Sequence, residues 1–470
     1  MRYKEFLKSK FFWVCLSFIL VYIIFLMAFQ QYEDIWWDSA SYVGMGRYLF
    51  SGGATGLFEP HKPILLPLAL GLFWKLGFND VLAGMFLIFL LSLLSLYFTY
   101  RIGKELFNER IGIIASAILG LNPLFFIFSF RVYSEMLSVC FILGALFFMI
   151  RFSNTNKLKY IFVSSMFCFL SVLSKYPNGI IIILLEIYLL CLLVKSRNMG
   201  PMLFFNVSLL LFFIPFLTGN YIFSGDPLYL LHISQDYLKA NLGMMYSFNT
   251  FPGIPKLFFE NTNMIYFKSI LHLFNVIFPF LFMGIYLAIK KNNMQLNRLF
   301  FLVFPTFILF FFFEIFYLKQ ERYILPLFPL LSIFCALGLS KIKLKFAYIL
   351  LILYLVISIS FSSYFLYITS LDKGYGDFFK DTPNKGLCQE ASTSDPLSVL
   401  NSNIKTLNFP YEVFDKTWNG GSIKENNPDC IVYFSCYENR SNQIDSMISM
   451  NYSLELKNDN GRCTYAFLRK

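Results

Sequence analysis

The chain has 470 residues, of which 57% are hydrophobic, 20% are aromatic and only 14% are charged, and its mean hydropathy is +0.60. This composition excludes a soluble globular protein and a disordered or fibrous chain, because so much apolar surface cannot stay solvated. The net charge of +11 would suggest nucleic-acid binding in a soluble protein. In a membrane protein, however, Lys and Arg collect in cytoplasmic loops. We therefore expect a polytopic membrane protein that binds membrane lipids and no nucleic acid.

Eleven apolar stretches come near the roughly 17 to 25 residues that a membrane-spanning helix needs. They are 11–29, 81–100, 111–130, 136–150, 160–174, 179–194, 201–223, 264–289, 299–318, 323–340 and 346–368. The further stretch 64–78 is apolar but only 15 residues long, so we interpret it as a helix lying in the membrane interface. This assignment places 18 Lys and Arg residues in loops on one side, which the positive-inside rule identifies as cytoplasmic.

The resulting topology has a cytoplasmic N-terminus, a membrane region over residues 1–370 and two large external loops, 30–80 and 224–263. Residues 371–470 contain no apolar run long enough to span and carry a net charge of −2. Strand patterns at 430–434, 452–456 and 463–468, with a helical segment at 441–450, predict a small α/β domain there. The predicted fold is a polytopic α-helical membrane protein with a C-terminal extracytoplasmic α/β domain.

The C-terminal domain contains four cysteines, Cys388, Cys430, Cys436 and Cys463. An even number of cysteines in an oxidising compartment favours disulfides, so one or two are expected, with the pairing left open. The other five cysteines of the chain lie in the predicted spans, where they act as small apolar side chains.

The first external loop contains the densest group of polar residues. Asp38 lies four residues before Tyr42, so the two side chains share one face of a helix. A carboxylate held at a membrane surface can act as a general base or as a metal ligand. Asp-Ser-Ala-Ser before an apolar run also fits a helix N-cap, and spacing by itself does not decide between the two.

Other charged residues lie at the predicted outer ends of spans. Arg131 and Glu135 either contribute to a site or form an interfacial ion pair that caps two helices. Lys62, Lys175 and Arg322 are three cations on the same side. Each one alone fits snorkelling towards lipid phosphate, but together with two acids they favour an anionic head group as the ligand.

The three histidines, His61, His232 and His272, lack the spacing of a zinc site. A histidine could still join the external carboxylates, so no cofactor is assigned and a divalent metal ion is left open. The chain has neither a Walker motif nor a glycine-rich phosphate loop, which argues against a nucleotide-driven pump.

These segments, in this order, resemble the GT-C superfamily of membrane glycosyltransferases, in the branch of the protein O-mannosyltransferases and lipid A aminoarabinose transferases (glycosyltransferase family 39-like). The resemblance rests on WDSASYV at 37–43, HKPILLP at 61–67, RVYSE at 131–135, SKYP at 174–177 and ERYILP at 321–326. It extends over roughly residues 30–200 and 315–340.

The resemblance implies an inverting transfer of a sugar from a polyprenyl-phosphate monosaccharide to an acceptor hydroxyl outside the cytoplasm. It implies that Asp38 is the catalytic base and that Glu135 is a second acid, which orients the acceptor or holds a divalent ion. The lipid phosphate would be bound by Lys62, Lys175 and Arg322, and the neighbouring substrate-binding positions are Tyr42, His61, Arg131 and Tyr323. Whether the acceptor is a protein, a lipid or a glycan is left open.

A transporter or flippase for a lipid-linked sugar is the alternative from another functional class. About eleven spans with few charges fit such a protein. Three features disfavour it: the polar groups lie at one membrane surface, no inverted repeat is visible, and a domain without spans ends the chain.

Overall fold

The computed structural model of the chain describes residues 10–29, 37–240, 265–290, 299–315, 321–370, 390–393, 405–408, 428–435, 444–445, 447–459 and 464–469. The chain divides into two compact units. The first unit comprises Met1–Gln31, Phe86–Phe130 and Ser134–Thr369, and the second comprises Tyr32–Met85, Arg131–Tyr133 and Ser370–Lys470.

The described residues form a long series of helices followed by five strands. In chain order the α-helices are α1 (Lys10–Phe29), α2 (Trp37–Ser51), α3 (Leu65–Lys75), α4 (Asp80–Leu106), α5 (Glu109–Leu121), α6 (Pro123–Phe128), α7 (Ser134–Thr155), α8 (Leu158–Ser174), α9 (Ile180–Ser196), α10 (Gly200–Ser224), α11 (Tyr229–Ala240), α12 (Ile265–Phe274), α13 (Phe278–Lys290), α14 (Phe304–Ile315), α15 (Phe328–Leu339) and α16 (Leu344–Ser370). Short 3₁₀ turns occupy Tyr176–Gly179, Asn275–Ile277 and Glu321–Leu327, and a π-turn occupies Leu299–Val303.

Seven helical stretches of the described residues are long and apolar enough to cross a membrane, and each coincides with a predicted span. They are Asp80–Leu106, Ser134–Thr155, Tyr176–Ser196, Gly200–Ser224, Tyr266–Ile289, Glu321–Leu339 and Leu344–Tyr364. Three other predicted spans contain shorter apolar helices, namely Phe11–Ile24, Leu158–Ser174 and Phe300–Phe312. The chain is a polytopic α-helical membrane protein, while the total of eleven spans stays a prediction.

The predicted span 111–130 is an interrupted helix, because α5 ends at Leu121 and α6 begins at Pro123. Asn122 between them has an extended backbone, and its side-chain oxygen accepts hydrogen bonds from the N–H groups of Leu124 and Phe125 at 3.1 and 3.3 Å. Proline has no N–H to continue the ladder, and asparagine is a favoured N-cap. The Asn-Pro pair therefore starts a new helix within the apolar run.

The first unit positions two chain segments side by side. Helices α7 and α8 pack along each other, and α7 also contacts the 3₁₀ turn Glu321–Leu327. Asn178, in the turn after α8, donates hydrogen bonds from Nδ2 to Ser138 Oγ on α7 and to the carbonyl of Ser171, each at 2.8 Å. The hydrogen bonds of Asn178 thereby join the start of α7 to the end of α8. The turn Glu321–Leu327 packs against the same helix α7.

In the second unit, α2 packs closely against α3. A Cβ atom added to Gly46 would lie 2.7 Å from the backbone nitrogen of Gly71, so only glycine permits this approach. Leu66 and Leu70 of α3 are buried, whereas Leu68 and Leu72 are exposed. The 11 residues of α3 are too few to span a membrane, as expected for 64–78, and its interfacial position stays a prediction.

The end of the chain forms a five-stranded sheet from β1 (Glu390–Thr393), β2 (Lys405–Asn408), β3 (Cys430–Ser435), β4 (Ser453–Asp459) and β5 (Thr464–Arg469), in the order β2-β1-β3-β5-β4. β1 runs parallel to β2 and β3, whereas β5 runs antiparallel to β3 and β4. Its core includes Ile431, Tyr433, Met447 and Leu468. The three predicted strands are present, and the two short strands β1 and β2 were not predicted.

The cysteine prediction is supported at one position of this sheet. Cys430 forms a disulfide and is fully buried. Cys388, Cys436 and Cys463 lie outside the described residues. Cys15, Cys140, Cys168, Cys191 and Cys335, which were assigned to the spans, are free.

Candidate active site

The first group of candidate residues belongs to the second unit and surrounds Lys62. Helix α2 begins at Trp37, so Asp38 lies in its first turn, where the partial positive charge of the helix N-terminus favours a carboxylate. Glu59 and Lys62 lie in the turn before α3, which the Lys62 N–H closes by donating to the Glu59 carbonyl at 3.0 Å. We call Asp38, Tyr42, Glu59, His61 and Lys62 the Lys62 cluster.

The Lys62 ammonium is shared by two carboxylates. Its Nζ lies 2.9 Å from Asp38 Oδ1 and 2.9 Å from Glu59 Oε2. It also lies 5.4 Å from the centre of the Tyr42 ring, within the range of a cation–π contact. Asp38 and Tyr42 therefore face the same cation, as their i, i+4 spacing predicts. The Lys62 cluster thus contains two carboxylates, the kind of group that can accept a proton.

Burial and charge shift the pKa values of two residues of the Lys62 cluster. Burial opposes the charged form of Lys62, but Asp38 and Glu59 outweigh it, and the pKa of Lys62 lies above its ordinary value. Burial lowers the pKa of His61 to about 4; the Lys62 charge acts in the same direction, while Glu59 and Asp38 oppose it. At neutral pH Lys62 is therefore charged and His61 is neutral.

Arg47 ties the helix that carries Asp38 to the beginning of α4. Its Nε lies 2.7 Å from Asp80 Oδ2, and its second nitrogen, Nη2, lies 3.1 Å from Asp80 Oδ1. The two side chains are 12% and 5% exposed. A two-point contact of this kind fixes orientation as well as distance.

The second group of candidate residues belongs to the first unit and surrounds Glu135. Glu135 lies in the first turn of α7, and its side chain is 3% exposed. Its Oε1 lies 3.1 Å from Lys175 Nζ and 3.5 Å from Arg322 Nε. Both cations also lie over the ring of Tyr323, with Nζ of Lys175 4.4 Å and Cζ of Arg322 5.5 Å from its centre. We call these four residues the Glu135 cluster.

The two clusters have opposite charge balances. The Lys62 cluster has two carboxylates around one cation, whereas the Glu135 cluster has two cations around one carboxylate. The three cations that the sequence grouped together therefore have different surroundings. Lys62 faces two carboxylates, whereas Lys175 and Arg322 both face the carboxylate of Glu135.

Arg131 and His232 are two further residues that the sequence singled out. Arg131 is buried and belongs to the second unit, and its predicted role in binding is untested. His232 of the first unit contacts Asp226, with 2.7 Å between Nδ1 and Oδ2, in a largely exposed pair. Among the residues that the structure describes, no group of three His, Cys, Asp or Glu side chains could hold a metal ion.

Sequence reasoning missed three residues that support these clusters: Glu59, Asp80 and Asn178. Glu59 had a local signal, because it lies three residues before Lys62 in Glu-Pro-His-Lys-Pro. Asp80 lies 33 residues from Arg47, and Asn178 lies 40 residues from Ser138. No spacing rule links residues so far apart, so only the folded chain reveals these pairs.

Comparison with known proteins finds a matching family model and similar folds. A family model described as dolichyl-phosphate-mannose-protein mannosyltransferase matches residues 61–218. The crystal structure of ArnT from Cupriavidus metallidurans bound to undecaprenyl phosphate superposes with a TM-score of 0.69 at 12% identity, over 98% of this chain and 98% of that one. The chain has the GT-C fold.

A second GT-C structure, of a longer protein, has a similar fold. The archaeal oligosaccharyltransferase AglB from Archaeoglobus fulgidus, in complex with an inhibitory peptide and a dolichol-phosphate, has a TM-score of 0.58 and 11% identity, over 99% of this chain and 75% of that one. A search of curated protein sequences finds no significant match. The GT-C assignment therefore rests on the fold and on the family model.

Within the GT-C fold, the family model covers only part of the two clusters. His61, Lys62, Glu135 and Lys175 fall inside the matched range 61–218, whereas Asp38 and Arg322 lie outside it. For those two residues, the contacts with Lys62 and Glu135 are the observations that connect them to the matched region.

Proposed function

We propose that this GT-C protein is a glycosyltransferase that moves a monosaccharide from a polyprenyl-phosphate sugar to a hydroxyl group of an acceptor, with inversion at the sugar. The family model and the ArnT and AglB structures support a lipid-linked donor. One observation carries the residue assignment, namely the opposite charge balance of the two clusters. Transfer from a phosphate needs a base for the acceptor proton and cations for the leaving group, and the clusters offer one of each.

The Lys62 cluster supplies the base. Asp38 removes the proton of the acceptor hydroxyl while that oxygen attacks the sugar carbon bonded to phosphate. The bond between this carbon and the phosphate oxygen breaks, its electron pair leaves with the polyprenyl phosphate, and Asp38 keeps the proton. Lys62 holds the Asp38 carboxylate in place through their ion pair, and Glu59 in turn holds Lys62. In this assignment Lys62 orients the base, whereas the sequence predicts that it binds phosphate.

The Glu135 cluster supplies the cations. Lys175 and Arg322 bind the phosphate of the donor, and their charge stabilises the negative charge that grows on the leaving phosphate in the transition state. Tyr323 packs under both cations and limits their movement. Glu135 touches both cations, so the acceptor-orienting role that the resemblance implies would require its carboxylate to leave them.

We place the reaction on the extracytoplasmic face, with the N-terminus in the cytoplasm. The support is the distribution of charge, since 18 basic residues fall in the loops on the opposite side of the predicted topology. Within the first unit, Glu135 lies in the first turn of the span-length helix α7 and Lys175 directly follows α8, which suits positions near a membrane surface. A transporter would instead place such groups near the bilayer midplane.

The test uses Asp38→Asn in purified full-length protein in detergent, with a panel of polyprenyl-phosphate monosaccharides and radiolabelled sugar. We expect transfer to fall by roughly a hundredfold or more, because the variant lacks a base, while donor binding persists. Asp226→Asn is the matched control, since it removes an exposed aspartate of the first unit outside both clusters. Undiminished transfer by Asp38→Asn would disprove the role of Asp38. Sugar-lipid movement across vesicles without transfer would favour the transporter.

A further inference from the structure

The two oxygens of the Glu135 carboxylate differ in their contacts. Its Oε1 faces both Lys175 and Arg322, whereas Oε2 is buried and has no hydrogen-bond partner among the described residues. The Arg322 contact of 3.5 Å is an ion pair without the short distance of a charge-assisted hydrogen bond. Glu135 therefore partly neutralises the two cations, although they contact only one of its two carboxylate oxygens.

The Glu135 carboxylate affects binding of the donor lipid and of the product lipid to different degrees. The donor is a phosphodiester with one negative charge, while the product is a phosphate monoester that approaches two negative charges at pH 7. Coulomb repulsion scales with the charge of the ligand, so a fixed Glu135 carboxylate repels the product about twice as strongly as the donor. Lys175 and Arg322 attract the phosphate of either lipid, and the Glu135 carboxylate offsets part of that attraction, more for the product than for the donor.

We propose that Glu135 is an internal counter-ion that weakens binding of the polyprenyl phosphate product and thereby promotes its release. This inference rests on the proposed function. Glu135 acts through Lys175 and Arg322, so it is a positioning residue and needs no contact with the acceptor. Glu135 thereby distinguishes two classes of ligand: it weakens binding of a lipid phosphate monoester more than binding of a lipid phosphodiester.

The experiment measures equilibrium binding of two probes to the full-length protein in detergent. Farnesyl phosphate represents the monoester, and farnesyl methyl phosphate represents the diester. For Glu135→Gln we expect farnesyl phosphate to bind roughly tenfold tighter and farnesyl methyl phosphate only about threefold tighter, because the removed repulsion is twice as large for the dianion. Dissociation of farnesyl phosphate should slow by a similar factor.

Two variants serve as controls for charge and for folding. Glu135→Asp keeps the carboxylate, so the ratio of the two probe affinities should stay near that of the unmodified protein. Glu186→Gln removes a carboxylate in the middle of α9, in the same unit, and should leave both affinities unchanged. Glu135→Ala removes the same charge as Glu135→Gln and takes its place if the glutamine variant does not elute as a single folded species.

The outcomes separate this inference from the proposed function. Unchanged or weaker binding of farnesyl phosphate by the charge-removing variant would overturn the inference, as would equal tightening of both probes or an Asp variant that behaves like the Gln variant. Lys175→Met and Arg322→Met should each weaken farnesyl phosphate binding by roughly tenfold or more. If both retain full affinity, the phosphate site of the proposed function is wrong. If they lose affinity while Glu135→Gln is unchanged, only the role of Glu135 is wrong.

Discussion

Glu59 Oε2 lies 2.9 Å from Lys62 Nζ, the same distance as Asp38 Oδ1, so the proposed base shares its counter-ion with a second buried carboxylate. Glu59 is 7% exposed and belongs to the same turn as Lys62. The relationship links the loop before α3 to the first turn of α2. The charge of Glu59 therefore affects how readily Asp38 takes up a proton, although Glu59 has no proposed catalytic role.

Glu59→Gln should shift the pH dependence of transfer. The substitution removes a like charge near Asp38 and leaves Lys62 to pair with Asp38 alone, and both effects make protonation of Asp38 less favourable. We expect the acid limb of the kcat/KM profile to move to lower pH and the rate at neutral pH to fall by roughly tenfold, because the base is weaker. The measurement is transfer rate against pH for both proteins. An acid limb at unchanged pH, with wild-type folding, would contradict the coupling.

His61 should make the protein less stable at acidic pH. An unfolded histidine has a pKa near 6.5, whereas burial holds the pKa of His61 at about 4. Between these values the unfolded state binds a proton that the folded state does not, so stability is lost as pH falls, by about 1 to 3 kcal/mol. Thermal unfolding in detergent at pH 7 and pH 4.5 should show a larger drop for the natural protein than for His61→Gln. Equal drops would refute the shift.

The Arg47–Asp80 pair should contribute to stability as a coupled unit. Loss of Arg47 leaves the buried Asp80 carboxylate without its ion-pair partner, which costs roughly 3 kcal/mol. We expect Arg47→Met and Asp80→Asn each to lower the unfolding temperature, and the double variant to be less destabilised than the sum of the two. Additive losses across this cycle would show that the two side chains do not interact. Transfer should also weaken, since α2 carries Asp38.

Cys430 should resist alkylation until the protein is reduced. The thiol is in a disulfide, so denatured protein without reductant should leave Cys430 unmodified, while reductant should make it reactive. Cys140, Cys168 and Cys335 are free and buried, so they provide the comparison, reacting after denaturation alone. Peptide mass spectrometry distinguishes these cases. Modification of Cys430 in unreduced protein from an oxidising compartment would contradict the disulfide.

Helices were the most predictable part of the fold. In the described part of the chain, the seven helical stretches long enough to cross a membrane all coincide with predicted spans, because twenty apolar residues in a row have few alternatives to a helix in lipid. The break at Asn122-Pro123 was missed, since the surrounding residues remain apolar through Phe128. Strands β1 and β2 were also missed, because EAST and KTLN are four residues each and carry no alternating pattern.

Within the candidate site, the sequence identified the charged residues but not their partners. Asp38 with Lys62, and Glu135 with Lys175, were each singled out and are in contact within their unit. The shared phosphate-binding role of Lys62, Lys175 and Arg322 stays a prediction, and the contacts add that Lys62 faces a second acid, Glu59. The amino-acid type gives the charge of a side chain, whereas the charges of its neighbours depend on the fold.

The sequence alone determined that this chain is a polytopic membrane protein, and it located the seven described helical stretches that are long enough to cross a membrane. It also predicted which few charged residues lie away from the basic loops. These properties follow from composition and from the order of residues along the chain, because lipid selects for hydrophobicity segment by segment. Only the tertiary structure decided that two acids surround one cation in the Lys62 cluster and two cations surround one acid in the Glu135 cluster. Electrostatic interaction falls off with distance in space, and residues 24 to 40 positions apart become neighbours only when the helices pack.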